Sequence, residues 1–306
     1  MDGDRVNSAG FFIGRESLYW VILESQSDGK IEVKYIEKYP YTSPLDFQNY
    51  LSQENRIKIL SILQKTSAQG IFNNRKVNLA IDSNLTYILK IPVDNTLHPQ
   101  ELKDHLVWEF EQHFINQKPE NYAISFHPVN PASDGTFNSI IFLAIQKVLL
   151  NFFKHLFEDI NVKIKVTDVD HFSAETICKA VYPEFNGLNN ILISLKENCF
   201  DISLIQKGSI SSYRKVAFKN EDEILNYFEK ELNPVIKSMK KSIGNIYLWG
   251  EKLRRSFVDD LDSITPVKII LINPFKNFII NKNVLNSPVY ENLHEFAPAC
   301  GIALRK

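Results

Sequence analysis

Three groupings in this 306-residue sequence carry side chains able to do chemistry. His105, Glu109 and His113 recur at four-residue spacing, so on a helix they share one face, and two histidines with a carboxylate can bind zinc. The histidines stand two turns apart, too far for one metal on a straight helix, and the spacing is not HExxH. A solvated polar face is the preferred reading, and no metal is expected. Asp168 and Asp170 make an acid pair at a predicted strand end, where Asp170 reads more simply as the cap of the next helix. The third grouping is 191–211, ILISLKENCFDISLIQKGSIS, in which Ser194, Lys196 and Asp201 surround a polar turn between two apolar runs. No Ser-His-Asp, Cys-His, CxxC or Walker pattern is present.

Composition narrows the function classes. A hydrophobic content of 44% with 12% aromatics is that of a packed globular chain. The formal net charge of −1 gives no basic footprint, so no nucleic-acid partner is expected. Cys178, Cys199 and Cys300 are unpaired in spacing and read as small core residues in a reducing compartment. The opening MDGDRVNSAG is not a secretory signal, and no run approaches the ~18 apolar residues of a membrane span. The expectation is a cytoplasmic protein without direct membrane insertion. Lys252, Arg254 and Arg255 form a basic cluster, read as a solvated helix face rather than a lipid contact.

The elements that must position these residues alternate strands and helices. Strands are predicted over 11–23 and 31–39 around the turn Ser27-Asp28-Gly29, then at 77–81 and 86–93. Further strands follow at 122–129 and 139–145, separated by a turn at 131–135, and at 162–169. The hairpin of 191–211 comes next, with strands at 213–218, 246–248 and 267–272. Helices are predicted over 47–69 closed by Gly70, over 99–114 on a Leu102, Leu106, Phe110, Phe114 stripe, and over 147–157 and 170–181. Others fall at 253–261, at 290–304 and at 221–241, the last interrupted by Pro234 with Lys237, Lys240 and Lys241 near its end. PEFNGLNN (183–190) is the clearest boundary between two similar α/β lobes.

Four segments then stand out in order: LKDHLVWEFEQHF (102–114), the NYAISFHPV that follows, the run 140–177 and the ending HEFAPACGIALR (294–305). With them the chain resembles, over most of its length, the PilM-like actin-fold proteins of type IV pilus assembly, in the FtsA/PilM superfamily. The resemblance implies an α/β, actin-like (ribonuclease H-like) two-lobed fold with a small inserted α/β subdomain. The implied division is 1–85 for the first lobe, 86–162 for an inserted interaction subdomain, 163–188 for the first lobe continued, 189–288 for the second lobe and 289–306 for a helix returning to the first. It also implies a place at the inner face of the cytoplasmic membrane and, as partner, the short tail of a single-span PilN-like protein docked between the inserted subdomain and the first lobe. Trp108, Glu111 and Gln112 are its partner-side residues, and self-association is left open.

The family binds ATP, and here the residues depart from it. In FIGRESL (12–18) Gly14 and Ser17 are kept, but Phe12 stands for the acid that organises magnesium, and Arg15 and Glu16 replace small residues. In the hairpin, Ser194 replaces the second acid and Lys196 a glycine, while Asp201 matches a later acid. In YLWGEKL (247–253) Gly250 is kept and Glu251 takes the place of a second glycine. The expectation is a pseudo-ATPase scaffold without catalytic residues or cofactor. A degenerate nucleotide site, if retained, would use Gly14, Arg15, Ser17, Lys196, Asp201 and Gly250, with Arg15 and Lys196 holding phosphates without metal. The competing readings are an ATPase of the same machinery and an FtsA-like membrane-tethered filament. The latter normally ends in an amphipathic helix, which is not seen after Ala303.

Overall fold

In a computed structural model of the chain, residues 7–46, 48–68, 76–130, 137–238, 243–251 and 253–306 are described. Phe47, Gln69, Gly70, the turn at 131–135, Lys240, Lys241 and Lys252 lie outside them. The chain opens with β1 (Asn7–Ile13), β2 (Ser17–Ser25) and β3 (Ile31–Pro40), then α1 (Gln53–Ala68) and β4 (Lys76–Ile81). Next come β5 (Tyr87–Pro92), α2 (Pro99–His113), β6 (Tyr122–Pro128) and β7 (Ser139–Gln146). They lead into α3 (Lys147–Glu158), β8 (Lys163–Val169), α4 (Asp170–Val181) and α5 (Pro183–Gly187). The second half holds β9 (Asn189–Leu195), β10 (Cys199–Gln206), β11 (Ser209–Ala217), α6 (Glu221–Tyr227), α7 (Asn233–Ser238), β12 (Ile243–Gly250) and α8 (Arg255–Ile264). It closes with β13 (Ile269–Leu271), β14 (Ile279–Ile280), α9 (Lys282–Leu285) and α10 (Ala297–Ala303).

Three sheets result, ordered β14-β3-β2-β1-β4-β8, β11-β10-β9-β12-β13 and β5-β7-β6. The two large sheets are the lobes. On one face of the first, α1 and α3 cover Phe11, Trp20 and Leu79. On its other face, α4 and α10 lie in a core that continues into the second lobe through Leu192, Tyr247 and Trp249. The second sheet is closed on its far side by α6, α7 and α8 around Phe228 and Phe257.

Several sequence expectations change in the structure. The run 11–23 is two strands rather than one, because Gly14 closes a tight turn by donating its N–H to the Ser17 carbonyl at 3.1 Å. The second lobe's hairpin ends at Lys207-Gly208, whose φ values of 50° and 75° fit a two-residue turn, so β11 starts before 213. The predicted helix over 290–304 is a 3₁₀ turn, Pro288–Phe296, followed by α10. Asp170 does not cap α4 but lies inside it. The expected interruption of the 221–241 run is a π turn at Phe228–Leu232, just before Pro234, through which the backbone stays helical into α7.

The small sheet is carried by β7, whose two faces do different work. Ile140, Phe142 and Ala144 face α2 with Phe110, while Ile141 and Leu143 face the main core with Phe172 and Tyr213. The space toward the body is thus packed core, further tied by Asn130 N–H to the Ile210 carbonyl at 2.9 Å and Lys90 Nζ to the Ser211 carbonyl at 3.1 Å. Helix α3, inside the expected 86–162 unit, belongs instead to the core of the six-stranded sheet, since Leu149, Phe153, Leu156 and Phe157 are buried there.

Helices α4 and α10 meet closely at Gly301, where an added Cβ would lie 1.7 Å from the Ser173 carbonyl oxygen. Gly301→Ala is therefore expected to lower stability by about 1–3 kcal/mol despite its better helix propensity, since backbone cannot yield as a side chain does. A urea denaturation midpoint unchanged or raised in the variant would contradict this contact.

Candidate functional site

The cleft between the two large sheets gathers polar residues from six elements. Asp82 directly follows β4 and starts a single 3₁₀ turn by accepting the Asn84 N–H at 2.8 Å. Asp170 begins α4, and its Oδ1 accepts the N–H groups of Ser83 at 3.1 Å and His171 at 2.7 Å. Asp201 lies opposite Ser194 in the β9–β10 pairing, and Lys196 closes the turn between those strands. Into this trio of carboxylates runs the Lys196 side chain. Its Nζ stands 2.8 Å from Asp82 Oδ1, 2.8 Å from Asp170 Oδ2 and 3.1 Å from Asp201 Oδ2, and also donates to Ser83 Oγ. The Ser83 and Tyr213 hydroxyls each donate to Asp201 at 2.6 Å.

Burial sets the electrostatics. Lys196 is 6% exposed, Asp82 3%, and Asp170 and Asp201 are fully enclosed, so water screens little of this charge. Burial, reinforced by Asp82 and Asp201, pushes the Asp170 carboxyl up to about 7 against the pull of Lys196. Burial acts the same way on Asp201, but Lys196, Lys215, His171 and the Ser83 hydroxyl outweigh it and hold that group below the usual carboxylate range. Burial would lower Lys196, yet the three carboxylates keep it firmly protonated. Lys196, which the sequence reading had as a phosphate holder if a nucleotide site is retained, is thus engaged by three carboxylates.

A second internal ligand occupies the turn after β1. Glu251, immediately after Gly250 at the end of β12, places one carboxylate oxygen 2.9 Å from the Arg15 N–H and the other 3.3 Å from the Glu16 N–H. A Cβ on Gly14 would come within 2.6 Å of that carboxylate, so a larger residue there would make the Glu251 side chain shift. Burial and the nearby Asp82 push the Glu251 carboxyl up to about 8, against the two amides that favour its charged form. Arg15 is also taken, its Nε lying 2.9 Å from Glu197 across the cleft. Ser17 is buried in β2, and Gly250 packs so tightly that an added Cβ would be 2.3 Å from the Leu195 carbonyl.

The two expected replacements of acids behave as structural residues. Phe12 stacks on Tyr19 at 5.5 Å and meets the edge of Trp249 at 5.8 Å, joining the lobes by apolar contact. Ser194 pairs with Nδ1 of the buried His171, whose Nε2 pairs with Ser203 at 2.8 Å. Burial pushes His171 down to about 4, so it stays neutral between two hydroxyls. Asp82, Ser83, His171 and the liganding role of Glu251 were missed by sequence reasoning, and Asp170 was singled out there only as one of an acid pair and as a helix cap; the signal available for Asp82 was its position at the end of an apolar strand.

The other candidates stand apart. Glu109 receives both His105 and His113, at 3.4 and 3.3 Å, and no metal-holding group is found among the described residues. Asp168 pairs with Arg305 at 2.5 Å and with His127 at 3.3 Å. Trp108 is half exposed and stacks on His105 at 5.8 Å; Glu111 and Gln112 are exposed beside it. None of these three lines the apolar groove of about 640 Å³ that runs between α2 and the edge strand β6, which Leu97, Leu102, Leu106, Ile124, Phe126 and Phe137 form. That groove lies within the small-sheet unit, not between it and the first lobe. Among the described residues no helix is long and apolar enough to cross a membrane.

No described family and no curated protein matches the sequence. Solved structures do match in shape. A PilM–PilN type IV pilus biogenesis complex gives a TM-score of 0.80 at 17% identity, covering 98% of this chain and 98% of the other. The cytoplasmic domain of EpsL, an inner-membrane component of the Vibrio cholerae type II secretion system, gives 0.52 at 8% identity over 95% and 94% of the two chains. Ethanolamine utilization protein EutJ from Carboxydothermus hydrogenoformans gives 0.50 at 8% identity over 99% and 91%. In fold, this chain is a PilM-like, actin-like α/β protein.

Proposed function

We propose that the protein is a non-catalytic, actin-like scaffold of a type IV pilus or related inner-membrane assembly, cytoplasmic and peripheral to the membrane. The observation that carries the non-catalytic reading is the filled cleft: Lys196 lies among Asp82, Asp170 and Asp201, and Glu251 sits on the Arg15 and Glu16 amides. A nucleotide with its metal would have to displace both, exposing buried charge on each side. Support for the assembly role comes from the end-to-end likeness to the PilM–PilN complex. The partner in this reading is the short tail of a single-span PilN-like protein, seated in the groove between α2 and β6. There the free edge of β6 can pair with an extended peptide while Leu102 and Phe126 take its apolar side chains.

Titration with ATP, with and without magnesium, tests the first half. A ligand at a hundred times its Kd stabilises by about 2.7 kcal/mol, so millimolar ATP should leave the melting temperature unmoved. A magnesium-dependent rise would restore the ATPase reading. For the partner, Leu102→Glu and Phe126→Glu are expected to weaken binding of a PilN-like tail peptide by roughly tenfold or more, about 1.4 kcal/mol. Unchanged affinity in both variants would place the tail elsewhere.

A further inference from the structure

At the end of the six-stranded sheet remote from the cleft lies a cavity of about 610 Å³. It is lined from the starts of two parallel strands, Ser8 being the second residue of β1 and Lys76 the first of β4. Asp82, in the cleft, follows the last residue of β4, so the strand's six residues, at about 3.3 Å each, set the two places roughly 20 Å apart. Asn78 Nδ2 donates to the carbonyls of Ile302 at 2.9 Å and Arg305 at 2.8 Å, fixing the end of α10 against β4 as one wall. Along β8, Ile164 pairs with Val77 but Val166 pairs with Asn78, so Lys165 is an inserted residue, and a bulge of this kind re-aims its side chain. Lys165 lines the cavity with Lys76 and Lys306, and among the described residues that line it none is acidic. The side chains of these three lysines have no ion-pair or hydrogen-bond partner among the described residues. A fourth cation, Arg305, is half engaged: its Nη2 stands 2.5 Å from Asp168 Oδ2 and 3.2 Å from the Phe172 carbonyl, while its enclosed Nε has no acceptor among the described residues.

We infer that this cavity binds a phosphate-bearing anion with two or more negative charges. Three uncompensated ammonium groups around one concavity repel each other, and a single carboxylate would offset only one of them. Phosphate suits lysine, which presents a point charge with three donors instead of a planar fork, and the hydroxyls of Ser8 and Ser25 stand at the same cavity to donate to further oxygens. The volume is that of a small-molecule site. Two sources present this chemistry, a soluble phosphoester and the headgroup of an anionic lipid, and the lysines meet the same group in either. The inference is independent of the filled cleft, which lies at the other end of β4.

Three probes test it on the full chain. Pyrophosphate and glycerol phosphate are titrated by calorimetry, with melting temperatures read against chloride of equal ionic strength. Pelleting with vesicles of phosphatidylglycerol is compared with pelleting on phosphatidylcholine. A soluble probe at ten times its Kd should raise the melting temperature by roughly 2 °C. Lys76→Gln and Lys165→Gln should each weaken binding by roughly tenfold, and the double variant should abolish it. Lys163→Gln removes the same charge from β8 at a residue that lines a different groove, beside α3, and should keep it. Binding of pyrophosphate or glycerol phosphate without pelleting assigns the cavity to a soluble ester. Pelleting on phosphatidylglycerol that the double variant loses assigns it to a lipid headgroup. Absence of binding to all three probes, binding that the double variant retains, or an equal loss in Lys163→Gln overturns the proposal. None of these results touches the ATP titration or the tail-peptide affinity, which test the scaffold reading separately.

Discussion

Lys196→Met is expected to lower the unfolding free energy by about 3–5 kcal/mol, the cost typical of leaving a buried charge network without its partner. Methionine keeps the length and apolar stem of lysine, so little of the loss would come from packing. Most of it comes from Asp82, Asp170 and Asp201, which converge within 3.1 Å of the lost ammonium and would then repel one another with almost no water between them. Adding Asp170→Asn to Lys196→Met should return part of this loss, because it removes one of the uncompensated charges. The two single changes and the pair form a cycle whose coupling term isolates the contact. Urea denaturation supplies the numbers. A loss below about 1 kcal/mol, the range of exposed ion pairs, would mean that the cleft is open to water and the lysine is not its central cation.

Stability is expected to be nearly level between about pH 4.5 and 6.5 and to fall by about 3 kcal/mol from pH 6.5 to 8. Two carboxyls are raised, that of the buried Asp170 to about 7 and that of Glu251 to about 8. Above their unfolded values of 3.8 and 4.5 the unfolded chain releases these protons while the folded chain keeps them. Each group therefore contributes stability at low pH that drains away as pH rises to the folded value. Burial pushes His171 and His294 the other way, to about 4, so below 6.5 the unfolded state gains protons that the folded state refuses. In the shared window the two pairs oppose each other. Above it only the carboxyls titrate, and stability falls. Urea midpoints measured across this range check the shape, and Glu251→Gln should flatten most of the alkaline decline. An alkaline limb that persists unchanged in that variant would assign the decline to other groups.

Much of the architecture was legible in residue order. The stripe Leu102, Leu106, Phe110, Phe114 marked α2 to within a residue, and the strand predicted over 139–145 matches β7 to within a residue. Asp28-Gly29 announced the hairpin turn between β2 and β3. Such features are local: periodicity and turn chemistry act between near neighbours, whatever the rest of the chain does. The departures at Phe12, Ser194, Lys196 and Glu251 were likewise visible as residue types.

What those residues do was decided by the tertiary structure alone. In sequence Lys196 is a cation standing where the resembled family has a phosphate-loop glycine, and Asp170 a helix cap. In the folded chain Lys196 is neutralised by carboxylates that lie up to 114 residues away, and Asp170 is one of them. Glu251 looked like an obstruction in a nucleotide pocket, yet it serves as the ligand of a turn 235 residues earlier. The reason is physical. Residue order determines which segments alternate or repeat, but the energy of a charge depends on its depth from water and on the partners within about 4 Å, and only the packing of two lobes against each other sets both.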